Sequence, residues 1–107
     1  MKPSAELLDE IVERIREAAH PLRIILFGSA ARDEMHENSD LDFLIVVRDD
    51  EDCRGVERLL HRRLRGMGFA KDIVVVRESD ADQHQHDPYL VIHSAISQGK
   101  ELYRAAT

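Results

Sequence analysis

The apolar residues of this chain recur with two different periods. Near the N-terminus they fall at helical spacing between Leu7 and Ala18, and charged residues occupy the opposite face. That pattern predicts an amphipathic helix. Elsewhere, three short runs are almost continuously apolar and rich in isoleucine and valine, which is typical of buried strands. The three predicted strands are residues 23–27 (RIILF), 40–47 (DLDFLIVV) and 71–77 (KDIVVVR).

Helical segments are predicted between these strands. Residues 30–32 have good helical propensity and predict one short helix after the first strand. An apolar stripe between Val56 and Leu64 predicts a longer helix before the third strand, closed by glycines. Residues 78–87 are polar and are predicted to form a loop.

The last part of the chain carries a helix-start signal. Asp87 is a good N-cap, and Pro88 suits the first helical position. Gly99 predicts the end of that helix, and Leu102-Tyr103 adds a short terminal strand. The whole pattern predicts a small α/β (or α+β) fold, a mixed sheet flanked by helices.

Length and charge limit the function. A chain of 107 residues predicts a single domain over residues 1–107. The formal net charge of −6 argues against a long nucleic acid as the main ligand. No segment is apolar enough to span a membrane, and no signal peptide is visible. With Cys53 as the only cysteine, no internal disulfide can form, and we expect a cytoplasmic protein.

Three aspartates at strand starts carry the candidate chemistry. Asp40 and Asp42 share one face of the second predicted strand, roughly 6.5–7 Å apart along the backbone. Asp72 begins the third strand and could join them if the two strands are neighbours. Converging carboxylates repel one another unless a cation neutralises them, and hard oxygen ligands favour Mg²⁺ or Mn²⁺. The aspartates therefore predict a divalent metal site suited to chemistry at phosphorus.

A glycine-serine turn precedes the first two of these aspartates. Gly28 allows the backbone to approach a ligand closely, and Ser29 adds a hydroxyl and backbone N–H groups at a helix start. Such a turn favours anions, for example a triphosphate. Arg32 could contact the same anion or stabilise the loop by ion pairing.

These residues together resemble a known family. The segments 28–32 (GSAAR) and 39–43 (SDLDF) are similar to the signature of the minimal nucleotidyltransferases, in the DNA polymerase β-like superfamily. Asp72 before Ile73 matches the third carboxylate of that family, and the segment 95–103 (AISQGKELY) resembles its closing helix and ending. The resemblance thus extends over most of the chain, and it implies the small two-layer nucleotidyltransferase fold.

The resemblance implies a reaction and a set of roles. Asp40, Asp42 and Asp72 would be catalytic residues and ligands of Mg²⁺ or Mn²⁺, while Gly28 and Ser29, with Arg32, would bind the nucleotide. ATP would be the substrate, and AMP would be transferred to an acceptor hydroxyl with release of pyrophosphate. Short members of the family resemble antitoxins that AMPylate a tyrosine of a HEPN toxin. We therefore expect a type VII-like antitoxin with a HEPN toxin as its partner.

One position departs from the family pattern. Asp33 stands where the family usually has glycine, and an acidic side chain near the phosphate turn could weaken nucleotide binding. The alternative is therefore a weak or inactive nucleotidyltransferase-fold antitoxin that neutralises its partner by binding alone. Other DxD enzymes and serine hydrolases fit the motifs less well. The sequence leaves the acceptor, the base preference and the oligomeric state open, including a homo-oligomer.

Overall fold

The computed structural model describes residues 4–28, 41–68, 70–87 and 90–106. These residues form four helices and four strands, which include the three predicted strands. The predicted short helix at residues 30–32 lies outside the described residues. In chain order the elements are α1 Ala5–Ala19, β1 Arg23–Phe27, β2 Leu41–Val47, α2 Cys53–Arg63, β3 Lys71–Arg77, α3 Glu78–His84, α4 Val91–Gln98 and β4 Lys100–Arg104.

The four strands form one mixed sheet in the order β3-β2-β1-β4. β2 and β3 are parallel, while β1 pairs antiparallel with both β2 and β4. The predicted mixed sheet flanked by helices is confirmed. The predicted terminal strand is also confirmed, and it is longer than predicted because β4 begins directly after Gly99.

The core lies on both faces of this sheet. Alternate residues of β1 and β2 point to opposite faces, so each strand contributes to two separate apolar clusters. One cluster lies beneath α1 and α2 and includes Ile11, Ile15, Phe43, Val56 and Leu60. The other lies beneath α3 and α4 and includes Ile25, Phe27, Leu44, Ala81 and Ala95. Both faces of the central strands are therefore covered, which explains their nearly continuous apolar sequence.

The predicted amphipathic helix at the N-terminus is confirmed as α1. The hydroxyl of Ser4 accepts a hydrogen bond from the Leu7 backbone N–H at 3.1 Å, which caps the first turn. The helix ends at His20, whose φ of 46° is left-handed, immediately before Pro21. Ile11 and Ile15 are fully buried and fix the face that packs on the sheet.

The loop predicted over residues 78–87 is wrong, because α3 follows β3 without a linker. Glu78 and Asp80 lie in its first turn, where acidic side chains favour the helix dipole. The Ser79 backbone N–H donates to the Asp49 carboxylate at 3.0 Å, so the capping group comes from a distant turn. Ala81, which is 2% exposed, anchors the helix in the core.

The predicted start of the last helix is also wrong. α4 begins at Val91 with Leu90 as its N-cap, rather than at Asp87-Pro88. The Asp87 carbonyl instead accepts a hydrogen bond from the Leu90 backbone N–H at 3.1 Å, and Pro88 lies outside the described residues. The predicted end at Gly99 is confirmed. No helix in the described part of the chain is long and apolar enough to cross a membrane.

Candidate functional site

Two of the three predicted aspartates lie side by side. Asp42 on β2 pairs in register with Asp72 on the parallel strand β3. Neighbouring strands are about 4.8 Å apart, and residues opposite each other point to the same face of the sheet. The neighbouring strands that this site requires are therefore present, and both carboxylates project from one face.

The burial of the surrounding residues defines where this pair lies. Asp42 shares its face with Leu44 and Val46, which are 0% and 1% exposed beneath the second helical layer. Asp42 itself is half-buried and Asp72 is exposed. The acid pair thus lies at the end of the sheet, where this face emerges from its apolar cover and is accessible to a polar ligand.

Gly28 places the turn after β1 directly against this pair. Phe27, the last residue of β1, pairs with Asp42 in the antiparallel register. Gly28 has a φ of +73°, and a Cβ at this position would overlap the Asp42 carboxylate and come within 3.2 Å of its Cγ. Glycine adopts this left-handed conformation without strain and leaves that space to the Asp42 carboxylate. The sequence predicted a close approach to a ligand, but it could not show that the backbone also contacts a carboxylate.

The remaining predicted site residues cannot be placed in this geometry. Ser29, Arg32 and Asp40 lie outside the described residues, and so does Asp33. Within residues 4–28, 41–68, 70–87 and 90–106, no three His, Cys, Asp or Glu side chains form a group that could hold a metal ion. The described part of the site is therefore an acid pair with a glycine turn beside it.

The donor set at this position fits a hard divalent cation. Two carboxylates on adjacent strands supply anionic oxygens, and the missing Cβ of Gly28 makes room for one of them, the carboxylate of Asp42. Mg²⁺ is usually held by one or two carboxylates, with water and substrate phosphates completing its coordination. The described residues thus meet the chemical requirement for such an ion.

A second charged cluster lies on the β1–β4 edge of the same sheet. The Glu101 carboxylate accepts hydrogen bonds from Arg104 Nε at 2.6 Å and Nη2 at 3.0 Å, and from Arg23 Nη2 at 3.4 Å. The Arg104 hydrogen bond, with a smaller effect of Arg23, holds the pKa of Glu101 below its ordinary value. This cluster ties β4 to β1.

Cys53 is the first residue of α2 and is half-buried. Burial raises the pKa of its thiol, so the thiolate required for nucleophilic attack is disfavoured at neutral pH. The cysteine therefore has a packing role, as its position at the start of a helix suggests.

Residues 8–93 match the nucleotidyltransferase domain family. This range covers most of the chain and includes both β-strands of the acid pair and the glycine turn. The chain therefore belongs to the nucleotidyltransferase domain family.

Solved structures share the fold. A toxin–antitoxin crystallised with AMP-PNP has a TM-score of 0.68 and 23% sequence identity over 92% of this chain and 73% of that chain. A MntA–HpeT toxin–antitoxin mutant carrying two Asp-to-Glu substitutions has a TM-score of 0.67 and 21% identity over 92% and 73% of the two chains. A complex of tri-AMPylated Shewanella oneidensis HEPN toxin with MNT antitoxin gives 0.62 and 20% over 94% and 71%. A search of curated protein sequences gave no match.

Proposed function

We propose that this chain transfers AMP from ATP to a hydroxyl group of a partner protein and thereby acts as an antitoxin. The observation that carries the proposal is the pairing of Asp42 with Asp72 beside the open backbone of Gly28. Membership of the nucleotidyltransferase family supports transfer of a nucleotidyl group. The antitoxin role is supported by the fold shared with toxin–antitoxin complexes, one of them containing an AMPylated HEPN toxin.

Different residues of the chain have separate roles in this reaction. The turn at Gly28 and Ser29, with Arg32, holds the β- and γ-phosphates. The acceptor oxygen attacks the α-phosphorus, the bond from that phosphorus to the bridging oxygen breaks, and pyrophosphate leaves. The acceptor proton passes to the carboxylate of Asp72, which is exposed and can release it to water.

Asp40, Asp42 and Asp72 would hold one or two divalent ions, Mg²⁺ or Mn²⁺. When bound there, such an ion would supply positive charge to the phosphates and favour deprotonation of the attacking hydroxyl. Without bound cations, two carboxylates paired across neighbouring strands repel each other. The acid pair is therefore best explained as a site that works with its counterions bound.

A tyrosine of a HEPN toxin is the acceptor we propose. The solved toxin–antitoxin structures that share this fold make a toxin partner the natural source of the acceptor hydroxyl. The complex with tri-AMPylated HEPN toxin shows that a protein of this fold is found with a modified toxin. A HEPN protein encoded beside this chain would be the first candidate to test.

The test is a mass measurement on the partner. The chain, the HEPN partner, ATP and Mg²⁺ are incubated together, and intact-mass spectrometry follows the partner. We expect it to gain one or more AMP units with the wild-type chain and none with Asp42→Asn. No gain of mass with either protein, in samples where both bind the partner, would refute AMP transfer.

The alternative is neutralisation by binding alone, which Asp33 favours because it replaces the glycine usual in the family. The two mechanisms are separated in cells that express the toxin. If Asp42→Asn still restores growth as well as the wild type does, binding suffices. If it binds the toxin but fails to restore growth, the transfer reaction is required.

A further inference from the structure

The outer surfaces of α1 and α2 carry opposite charges. On α1, Asp9, Glu13 and Glu17 repeat every four residues, and all three are exposed. We call them the acidic row. On α2, three exposed arginines repeat at the same spacing, and we call them the arginine row. They are Arg54, Arg58 and Arg62.

Both rows point away from the core. At about 100° per residue, each row lies opposite the buried stripe of its own helix, Ile11 and Ile15 on α1 or Val56 and Leu60 on α2. Neighbouring charges within a row are separated by about 6 Å along the helix axis. The two rows therefore have the same length and the same spacing.

The two helices lie side by side on one face of the sheet, since their buried residues belong to a single cluster. They run antiparallel: Ala18 near the end of α1 lines a groove with Gly55 near the start of α2, while Arg14 Nη1 donates to the carbonyl of Arg63 at the end of α2, at 3.2 Å. The outer surface of this helical layer therefore carries the acidic row directly beside the arginine row.

Most of these charges have no partner within the described part of the chain. Glu13 contacts Arg16 at 3.5 Å. Asp9, Glu17 and the arginine row make no ion pair with any residue in 4–28, 41–68, 70–87 or 90–106. Paired surface charges are the common arrangement on a helix, at spacings of three or four residues. As far as residues 4–28, 41–68, 70–87 and 90–106 are concerned, the arginine row can therefore attract another molecule.

A groove between α1 and α2 is partly apolar. It has a volume of about 300 Å³ and lies where α1 ends and α2 begins. Ala18, Ala19, Gly55 and Leu59 form its apolar part, and His20, Glu51 and Asp52 form its polar part. Interfaces between proteins combine an apolar centre with a polar rim. A partner that covers both rows would also cover the apolar part of this groove.

We propose that this surface binds a second copy of the chain, with the acidic row of each copy on the arginine row of the other. A long polyanion would be repelled by the acidic row. A second copy carries both an acidic row and an arginine row, so each row can meet the opposite charge. A two-fold axis along the groove, parallel to the helices, places α1 of one copy over α2 of its partner. A two-fold axis across the helices would place like charges together, so the charge pattern selects one arrangement.

This dimer leaves the acid pair accessible. The charged rows lie on the α1–α2 side of the sheet, while Asp42 and Leu44 face the α3–α4 side. The two candidate sites would therefore point outwards in the dimer, and each could meet its own acceptor protein. Self-association can be tested whether or not the chain transfers AMP.

The test is sedimentation velocity on the full chain at two ionic strengths. The attraction between the two rows is screened over a Debye length of about 30 Å at 0.01 M salt and about 3 Å at 1 M salt. We expect dimers at low salt and monomers at high salt. A monomer at about 0.1 mM protein in low salt would overturn the proposal, because that concentration detects dissociation constants into the millimolar range.

Charge reversal identifies the surface. Glu13→Arg and Arg58→Glu should each raise the dissociation constant by at least about tenfold, because each change acts twice in a symmetric dimer. The double variant exchanges the two charges and should recover dimerisation. Lys100→Glu, an equal change at an exposed residue of β4, is the control and should have no effect.

Two outcomes contradict the assignment. Failure of the double variant to recover, with all variants folded by circular dichroism, would show that the rows do not face each other. If a co-expressed partner protein covers the arginine row while the chain alone remains monomeric, the surface belongs to the contact with that protein instead.

Discussion

Replacing Gly28 with alanine has two effects: it strains the left-handed backbone of the turn, and it places a methyl group where the Asp42 carboxylate lies. Gly28 has a φ of +73°, which is left-handed, and holding alanine there costs about 1–2 kcal/mol. The new methyl group would also overlap the Asp42 carboxylate. That carboxylate ends a flexible side chain, so it can turn aside at small cost to stability. The main loss is therefore the position of the carboxylate.

Gly66 provides a matched control. Its φ of +83° is also left-handed, but a Cβ at Gly66 meets no atom within 4 Å. Gly66→Ala should therefore lose about the same 1–2 kcal/mol from the backbone alone, a fall in Tm of roughly 4–10 °C. Both variants should show this fall, and only Gly28→Ala should change the site.

The deciding measurement is the affinity for ATP with Mg²⁺ by calorimetry. We expect Gly28→Ala to weaken binding by at least about tenfold, and Gly66→Ala to bind as the wild type does. If Gly28→Ala retains wild-type affinity at temperatures where it is folded, the contact between the turn and the carboxylate has no part in ligand binding. Equal losses in the two variants would attribute the effect to stability.

Three further predictions concern other positions. Asp72→Asn should abolish AMP transfer yet raise stability without metal by up to about 1 kcal/mol, because it removes like charges on paired strands; calorimetry with chelator checks this. Gly99→Ala should lower stability by about 2–3 kcal/mol while leaving nucleotide affinity intact, since its methyl would overlap the Ala95 carbonyl oxygen and lie 2.6 Å from Ile25 Cγ2. Tm and nucleotide titration test the two expectations. The pKa of Glu101 is lowered chiefly by Arg104, so its stabilisation is present above its ordinary value of 4.5 and lost as the pH falls through its folded pKa; Glu101→Gln should flatten the acid side of a Tm–pH curve.

The strands could be predicted from the sequence because burial on both sides of a sheet leaves a direct pattern. The runs 23–27 and 71–77 are strands over those residues, and β2 differs from its prediction only at position 40, which lies outside the described residues. The meeting of Asp42 and Asp72 was predicted only from the family resemblance, since strand order depends on contacts between distant parts of the chain. The aspartates were identified by chemistry, and the fold was needed to bring them together.

The helix α3 shows why a polar segment can mislead. Its seven residues offer a single fully buried side chain, Ala81, so no apolar period is visible. The group that satisfies its first turn belongs to Asp49, thirty residues earlier in the chain. Sequence rules for helix starts consider only neighbouring residues, so they cannot predict a capping carboxylate that comes from a distant turn.

The place of β4 in the sheet has a consequence for synthesis. β1 is made early, yet one of its two edges is covered only by β4, which follows every other element of the described fold. Until β4 leaves the ribosome, the nascent chain exposes the backbone groups of a strand whose residues Ile24 and Ile25 are apolar. Exposed apolar edges are sites of aggregation. A nascent chain that stalls before residue 100 would therefore need a chaperone until its last strand is added.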